Sequence, residues 1–278
     1  MEKQLRKEAA DRIMLPLDFS TYNEAAEPIE KLGGQLGLFK VGFELISSGA
    51  AHRVASRAFQ QNAGVFWDGK FKDIPNTVER ACRILMQDAA ISMLNVHADG
   101  GSKMMKAARK GIDEGYERRW RDASTSVPPR PKLLAVTILT SLGYDDLVEI
   151  SMFTEVERGN GGHDEQIRQR VVSLAKLAQD SGADGVVASP KEIEAIRTCC
   201  GPGFLIVTPG VRPDWASKDD QSRVMTPFEA ISLGADYLVI GRPITQPPAE
   251  IGDSASAVTL IADEIAQALA ARAPIATT

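Results

Sequence analysis

Apolar and polar positions alternate in a regular way along this chain. Short apolar, β-branched runs recur as RIMLPLDF, LFKVGF, VFWDGKF, MLNVHA, LLAVTILT, GVVAS, LIVTPGV and YLVIGR, each of strand length. Between them lie stretches whose apolar residues repeat at helical spacing, such as NEAAEPIEKLGGQLG, TVERACRILMQDAA and DEQIRQRVVSLAKLAQDSGA. The first and last of these end near glycine, as helix C-termini commonly do. Two further helix starts are marked by SPKE, with Ser189 as cap and Glu192 closing a capping box, and by TPFE, with Thr226 and Glu229 in the same roles.

Strand alternating with helix requires parallel pairing through crossovers. Eight such units predict a single-domain α/β chain, a closed (β/α)8 TIM barrel over residues 1–278. An open doubly wound sheet is the alternative, weakened because no G-x-G-x-x-G follows the first strand. Two stretches fit the alternation less well. EGYERRWRDASTSVPPRP, near 113–131, reads as a surface excursion before the fifth strand, and DDLVEISMFTEVERGNGGHDEQ, near 145–165, as a short helix followed by a glycine-rich turn.

Composition sharpens this picture only modestly. With 44% hydrophobic and 25% charged residues over 278 positions, the chain can bury a full core. A net charge of −5 argues against a nucleic-acid surface, and ERRWRD is too small a basic patch to reverse that. No apolar run reaches the roughly 18 residues of a membrane span, and the charged start MEKQLRKEAADR has no signal-like segment behind it, so a soluble cytoplasmic protein is expected. Cys82, Cys199 and Cys200 lack metal or redox spacing and read as reduced thiols.

The informative residues are charges at predicted strand ends, where a barrel keeps its ligand site. Asp18 ends the first run, Lys40 the second, Asp68 and Lys70 the third, Asn95 and His97 the fourth, Thr140 and Ser141 the fifth, and Arg242 the eighth. Asp68 and Lys70, two apart, face one side of a strand, with Asp73 just beyond. An ammonium between two carboxylates remains charged, which makes Lys70 an acid rather than a base. Those carboxylates would repel a substrate anion unless it is lost in the reaction, so the pattern suggests chemistry that removes a negative group and then needs a proton. Gly210 and Arg212 in TPGVRP, and Gly241 and Arg242 in IGRP, suggest a phosphate grip, with Gln221 on the loop between them.

Other polar and aromatic residues read as scaffold. His97 is expected to be a hydrogen-bonded strand-end residue, Lys72 a rim charge, and Trp67, Trp120 and Trp215 packing or loop aromatics. His52 and His163 have no evident ligand partner, and no metal site is expected.

LPLDFST, FKVGFEL, DGKFKDIPNTV, LNVHADGG, VTILTSL, VTPGVRP, DDQSRVMTP and YLVIGRPIT, in this order, resemble the orotidine 5′-phosphate decarboxylase family over nearly the whole chain. The resemblance implies a TIM barrel that removes the C6 carboxylate of orotidine monophosphate to give UMP, with no cofactor. It implies that Lys70 donates the proton to C6, flanked by Asp68 and Asp73, with Lys40 completing the network. Asp18, Lys40 and Thr77 would hold ribose hydroxyls, Thr140 and Ser141 the pyrimidine edge, and Gln221, Arg212, Gly241 and Arg242 the phosphate. It further implies a homodimer in which Asp73 and Thr77 reach the neighbouring subunit's site. Two alternatives stand beside it: a magnesium-dependent sugar-phosphate decarboxylase or aldolase of the same superfamily, in which an acid stands where this chain has Lys40, and a nucleotide-binding barrel without catalysis.

Overall fold

The computed structural model describes residues 2–121, 127–159, 162–216 and 225–272. The chain runs α1 (Glu2–Asp11), β1 (Ile13–Pro16), α2 (Tyr22–Leu32), β2 (Leu38–Val41), α3 (Phe43–Ser47), α4 (Ala51–Gln60), β3 (Gly64–Phe71) and α5 (Pro75–Leu85). It continues through β4 (Ile91–His97), α6 (Ser102–Trp120), β5 (Lys132–Val136), α7 (Tyr144–Glu149), α8 (Glu155–Gly159) and α9 (His163–Asp180). β6 (Gly185–Val187), α10 (Ile193–Cys200), β7 (Leu205–Pro209), α11 (Pro227–Leu233), β8 (Tyr237–Val239), α12 (Arg242–Thr245) and α13 (Ser254–Ala271) complete it. All eight strands pair in parallel in chain order, and β1 closes on β8. The eight apolar runs are the eight strands, and the closed barrel excludes the open sheet.

Strand alternation divides the core in two. Met14, Leu38, Phe66, Met93, Leu134 and Val207 fill the barrel interior, while their strand neighbours Ile13, Leu15, Phe39, Val65, Leu133 and Ile206 face the helices. At the N-terminal ends of the strands a G-A-D turn occurs twice, at Gly182–Asp184 and Gly234–Asp236. Asp184 accepts from the Leu133 amide at 2.7 Å and from Arg109 at 3.0 Å. Asp236 does the same with the Ile206 amide at 2.8 Å and Arg197 at 2.6 Å. Each carboxylate thus fastens the preceding strand to a helix, and the floor of the barrel is pinned by charges that are consumed there.

Three local expectations change. Thr226 and Glu229 form the expected capping box; Ser189 is a cap as expected and Glu192 hydrogen-bonds back to it, but the Ser189 hydroxyl accepts from Lys191 and the cap opens a 3₁₀ turn, Pro190–Glu192, ahead of α10. The stretch near 113–131 is not wholly an excursion, because α6 continues to Trp120. Its polar residues conceal a buried face of small ones: a Cβ at Gly111 would lie 2.2 Å from the Glu79 carbonyl, and one at Gly115 2.6 Å from that of Arg83, so α5 and α6 approach backbone to backbone. Tyr116 then anchors the return chain by donating to the Pro128 carbonyl at 2.6 Å. The second stretch holds two short helices, α7 and α8, rather than one.

Candidate active site

The charges cluster where the strands end. Lys40 Nζ lies 3.3 Å from Asp18 Oδ1 and 3.3 Å from Asp68 Oδ2, and Lys70 Nζ lies 2.9 Å from Asp68 Oδ1. The result is an alternating row, Asp18, Lys40, Asp68, Lys70, along the wall of a cavity of about 350 Å³. Pro16, Phe66, Val136, Ile138, Val187, Pro209 and Val239 give the rest of the wall an apolar lining, and Thr140 and Gly210 also line it. Such walls strengthen electrostatic interactions with whatever enters.

Asp68 is 8% exposed. Burial pushes its carboxyl up, but the Lys40 and Lys70 ammoniums, with hydrogen bonds from Lys70 and Asn95, outweigh burial and hold it below the usual carboxylate value. At neutral pH an anion therefore sits between two cations. The remaining assigned residues are spread around this row. Thr140 and Ser141 lie in a turn beyond β5, which ends at Val136. Gly241 precedes α12, so close to Pro16 that a Cβ there would meet Pro16 Cγ at 3.0 Å, and Arg242 is the exposed first residue of that helix. Arg212 is half-buried, its amide donating to the Met225 carbonyl at 3.1 Å. Gln221 lies outside the described residues.

Asp73 and Thr77 stand apart from the row. Both are exposed, and within this chain Asp73 accepts from the Ile74 amide at 2.6 Å rather than pairing with Lys70. The Lys70 ammonium has Asp68 as its carboxylate partner, and the Phe43 ring centroid is 5.6 Å away.

The local backbone explains how Lys70 is aimed. Trp67 pairs with Leu94 and Phe71 with Val96, so Asp68, Gly69 and Lys70 stand opposite Asn95 alone. This bulge turns Lys70 to a φ of 42°, a left-handed value that costs a residue with a side chain about 1–3 kcal/mol. Gly69 packs closely within it: a Cβ there would lie 3.0 Å from the Trp67 ring, which would have to shift to admit one. Asn95, fully buried, accepts from the Lys70 amide at 2.7 Å and donates to Asp68 Oδ1 at 2.6 Å. Sequence reasoning placed Asn95 at a strand end without giving it a site role; the available signal was an amide within the apolar run MLNVHA.

The residues read as scaffold are also placed. Lys72 pairs with Asp99 at 2.7 Å, and His97 lies 3.8 Å from the same carboxylate, with burial pulling its imidazole below the usual value. Trp67 is buried, and its ring centroid is 5.0 Å from that of His52. His163 stacks on Tyr144 at 3.9 Å. Among the described residues no helix is long and apolar enough to cross a membrane, and no group of three or more His, Cys, Asp or Glu side chains is gathered that could hold a metal ion.

The fold and this row of charges define a (β/α)8 barrel that carries an alternating carboxylate and ammonium array where its strands end. Residues 11–255 match the model of the Orotidine 5'-phosphate decarboxylase / HUMPS family, and the chain belongs to that family. It is 46% identical to an orotidine 5′-phosphate decarboxylase of Trichlorobacter lovleyi, over 94% of this chain and 97% of that one. It is 43% identical to one of Heliobacterium modesticaldum, over 95% of this chain and all of the other (100%). The crystal structure of orotidine 5′-phosphate decarboxylase from Lactobacillus acidophilus superposes with a TM-score of 0.71 at 34% identity, covering 91% of this chain and 98% of that one.

Proposed function

We propose that this chain is a cytoplasmic carboxy-lyase that converts orotidine 5′-phosphate to UMP for pyrimidine biosynthesis. The observation that carries this reading is the row Asp18, Lys40, Asp68, Lys70 inside an apolar-walled cavity. Heterolysis of the bond between C6 and its carboxylate releases carbon dioxide and leaves the electron pair on C6. The Lys70 ammonium stabilises that pair as it develops and then transfers a proton to C6, becoming a neutral amine that water reprotonates. Asp68 holds the ammonium in place and keeps a negative charge near the departing carboxylate. Asp18, Lys40 and Thr77 bind the ribose hydroxyls, Thr140 and Ser141 the pyrimidine edge, and Arg212, Gln221, Gly241 and Arg242 the phosphate. Phosphate binding remote from C6 then supplies energy for holding the reacting end beside Asp68.

The active unit in this reading is a homodimer in which Asp73 and Thr77 enter the neighbouring subunit's site, Asp73 becoming the second carboxylate beside that subunit's Lys70. The exposure of both side chains, together with that of Ile74 (66%) beside Asp73, supports it. No metal takes part. Lys40, within 3.3 Å of both Asp18 and Asp68, already bridges the two carboxylates and would repel a dication placed between them, which counts against the magnesium-dependent sugar-phosphate branch.

The test is a spectrophotometric assay of chelator-treated protein with orotidine monophosphate, following loss of the orotate chromophore. Turnover indifferent to chelator is the expected result. UMP binding without turnover would overturn the reading in favour of a binding barrel, and metal-dependent turnover of a sugar phosphate in favour of the other branch.

A further inference from the structure

We propose that Asn95 is a positioning residue for the decarboxylation, its side-chain amide locking the Lys70 backbone and the Asp68 carboxylate into one geometry; this rests on the function proposed above. In an unbroken ladder a strand amide of β3 would donate to a carbonyl of β4. The bulge sets three residues of β3 against Asn95, and the amide of Lys70 donates to the side chain of Asn95 instead, at 2.7 Å. That amide can only donate, so the Asn95 oxygen must face it and the Asn95 NH2 must face Asp68, where the contact is 2.6 Å.

The two bonds fix the two ends of the catalytic pair. One holds Lys70 at its left-handed φ of 42°, and the other fixes the oxygen of Asp68 that lies 2.9 Å from the Lys70 ammonium. A neutral group that accepts on one side and donates on the other is required, and among side chains of this size only asparagine supplies both without taking up a proton. With zero exposure, Asn95 acts through Asp68 and Lys70 rather than on substrate. The low-lying Asp68 carboxyl is consistent with this, since Asn95 is among the groups that hold it down.

The proposal is tested with Asn95→Ala and Asn95→Asp, in steady-state assays from about pH 6 to pH 8, alongside UMP titrations and the parent enzyme. Asn95→Ala frees both ends, and a misplacement of the proton donor lowers kcat about a hundredfold with KM and UMP affinity within about threefold of the parent. Asn95→Asp keeps the acceptor for the Lys70 amide but sets a second carboxyl against Asp68, so the pair must share a proton. Its kcat therefore rises as pH falls, recovering part of the loss at about pH 6 and surrendering it at about pH 8, in contrast to the parent.

An Asn95→Ala enzyme with kcat within about tenfold of the parent overturns the proposal. So does a fall in kcat accompanied in both variants by a comparable rise in KM and loss of UMP affinity, which marks a residue that only supports the fold. Should Asn95→Ala fail to fold, Asn95→Asp decides alone, and a pH profile matching the parent's overturns the proposal. A parent without turnover removes the proposed function and this inference together, whereas an active parent with an unimpaired Asn95→Ala variant removes this inference only.

Discussion

Replacing Asp68 by asparagine removes the one anion between two ammoniums while keeping the shape of the side chain. Lys40 retains Asp18, but that side chain is 66% exposed and the pair is screened by solvent; Lys70 retains no carboxylate among the described residues of its chain. One end of the new amide must also oppose a donor, because Lys40, Lys70 and Asn95 all donate to Asp68 in the parent. Breaking a buried pair costs about 3–5 kcal/mol, and the lower end applies where a partner is partly solvated, so ~3 kcal/mol is expected. Lys70, 24% exposed, is such a partner. An unfolding entropy of about 2 cal/mol/K per residue gives ~0.6 kcal/mol/K for a chain of 278 residues, and hence a fall in Tm of about 5 °C.

Scanning calorimetry of Asp68→Asn and parent at neutral pH measures this, and a second pair of scans in acid checks its origin. The Asp68 carboxyl sits below its ordinary value in the folded chain. Its stabilisation is therefore present above the ordinary carboxylate range near pH 4 and lost as pH falls through the lowered folded value. The Tm gap between parent and variant should narrow as pH falls below the ordinary carboxylate range. An unchanged or higher Tm for the variant at neutral pH, or a gap that persists in acid, would refute the argument that this charge row stabilises the fold; a higher Tm would instead show that the row stores strain.

Three further outcomes are expected. Lys70→Ala lowers turnover about 10³–10⁴-fold or more while UMP still binds in a calorimetric titration, and near-parental turnover would remove Lys70 from its role. Arg242→Ala weakens UMP binding about tenfold or more and leaves uridine binding nearly unchanged, whereas equal losses for the two ligands would take Arg242 out of the phosphate grip. Mixing the separately inactive Lys70→Ala and Asp73→Ala proteins restores about a quarter of the parental sites through mixed dimers; a mixture as inactive as its components would place Asp73 outside the neighbouring site.

Much of this architecture is legible in the residues themselves. The eight strands show as apolar runs, because a strand of a closed barrel is buried on both faces and has little room for polar residues except at its ends. Asp68 and Lys70 stand out for the same reason. The extent of α6 was hidden, since the buried face of its second half is made of Gly111, Ile112 and Gly115, and glycines inside a charged stretch read as loop rather than as a close helix contact. The two-residue spacing of Asp68 and Lys70 suggested plain alternation along a strand. It could not show the bulge, which arises from the register between β3 and β4 and has no periodic signature. Asn95 was missed as part of the site for that reason, being 27 positions from Asp68. Asp73 carries the family's spacing but meets no member of the row within its own chain, where its carboxylate accepts from the Ile74 amide instead.

The bulge has a consequence for anyone who would move this chemistry to another barrel. The D-x-K-x-x-D stretch looks portable, a handful of positions that could be written onto any third strand. Its geometry, however, is held in part by a neighbour that the motif does not contain: two extra residues in β3 are accommodated by one asparagine of β4 and by a glycine that fits beneath a tryptophan ring. Transplanted alone, the motif would relax into an ordinary ladder with its lysine aimed elsewhere. The smallest heritable unit of this active site is therefore a pair of adjacent strands with their register, and it should be inherited, exchanged or designed as such.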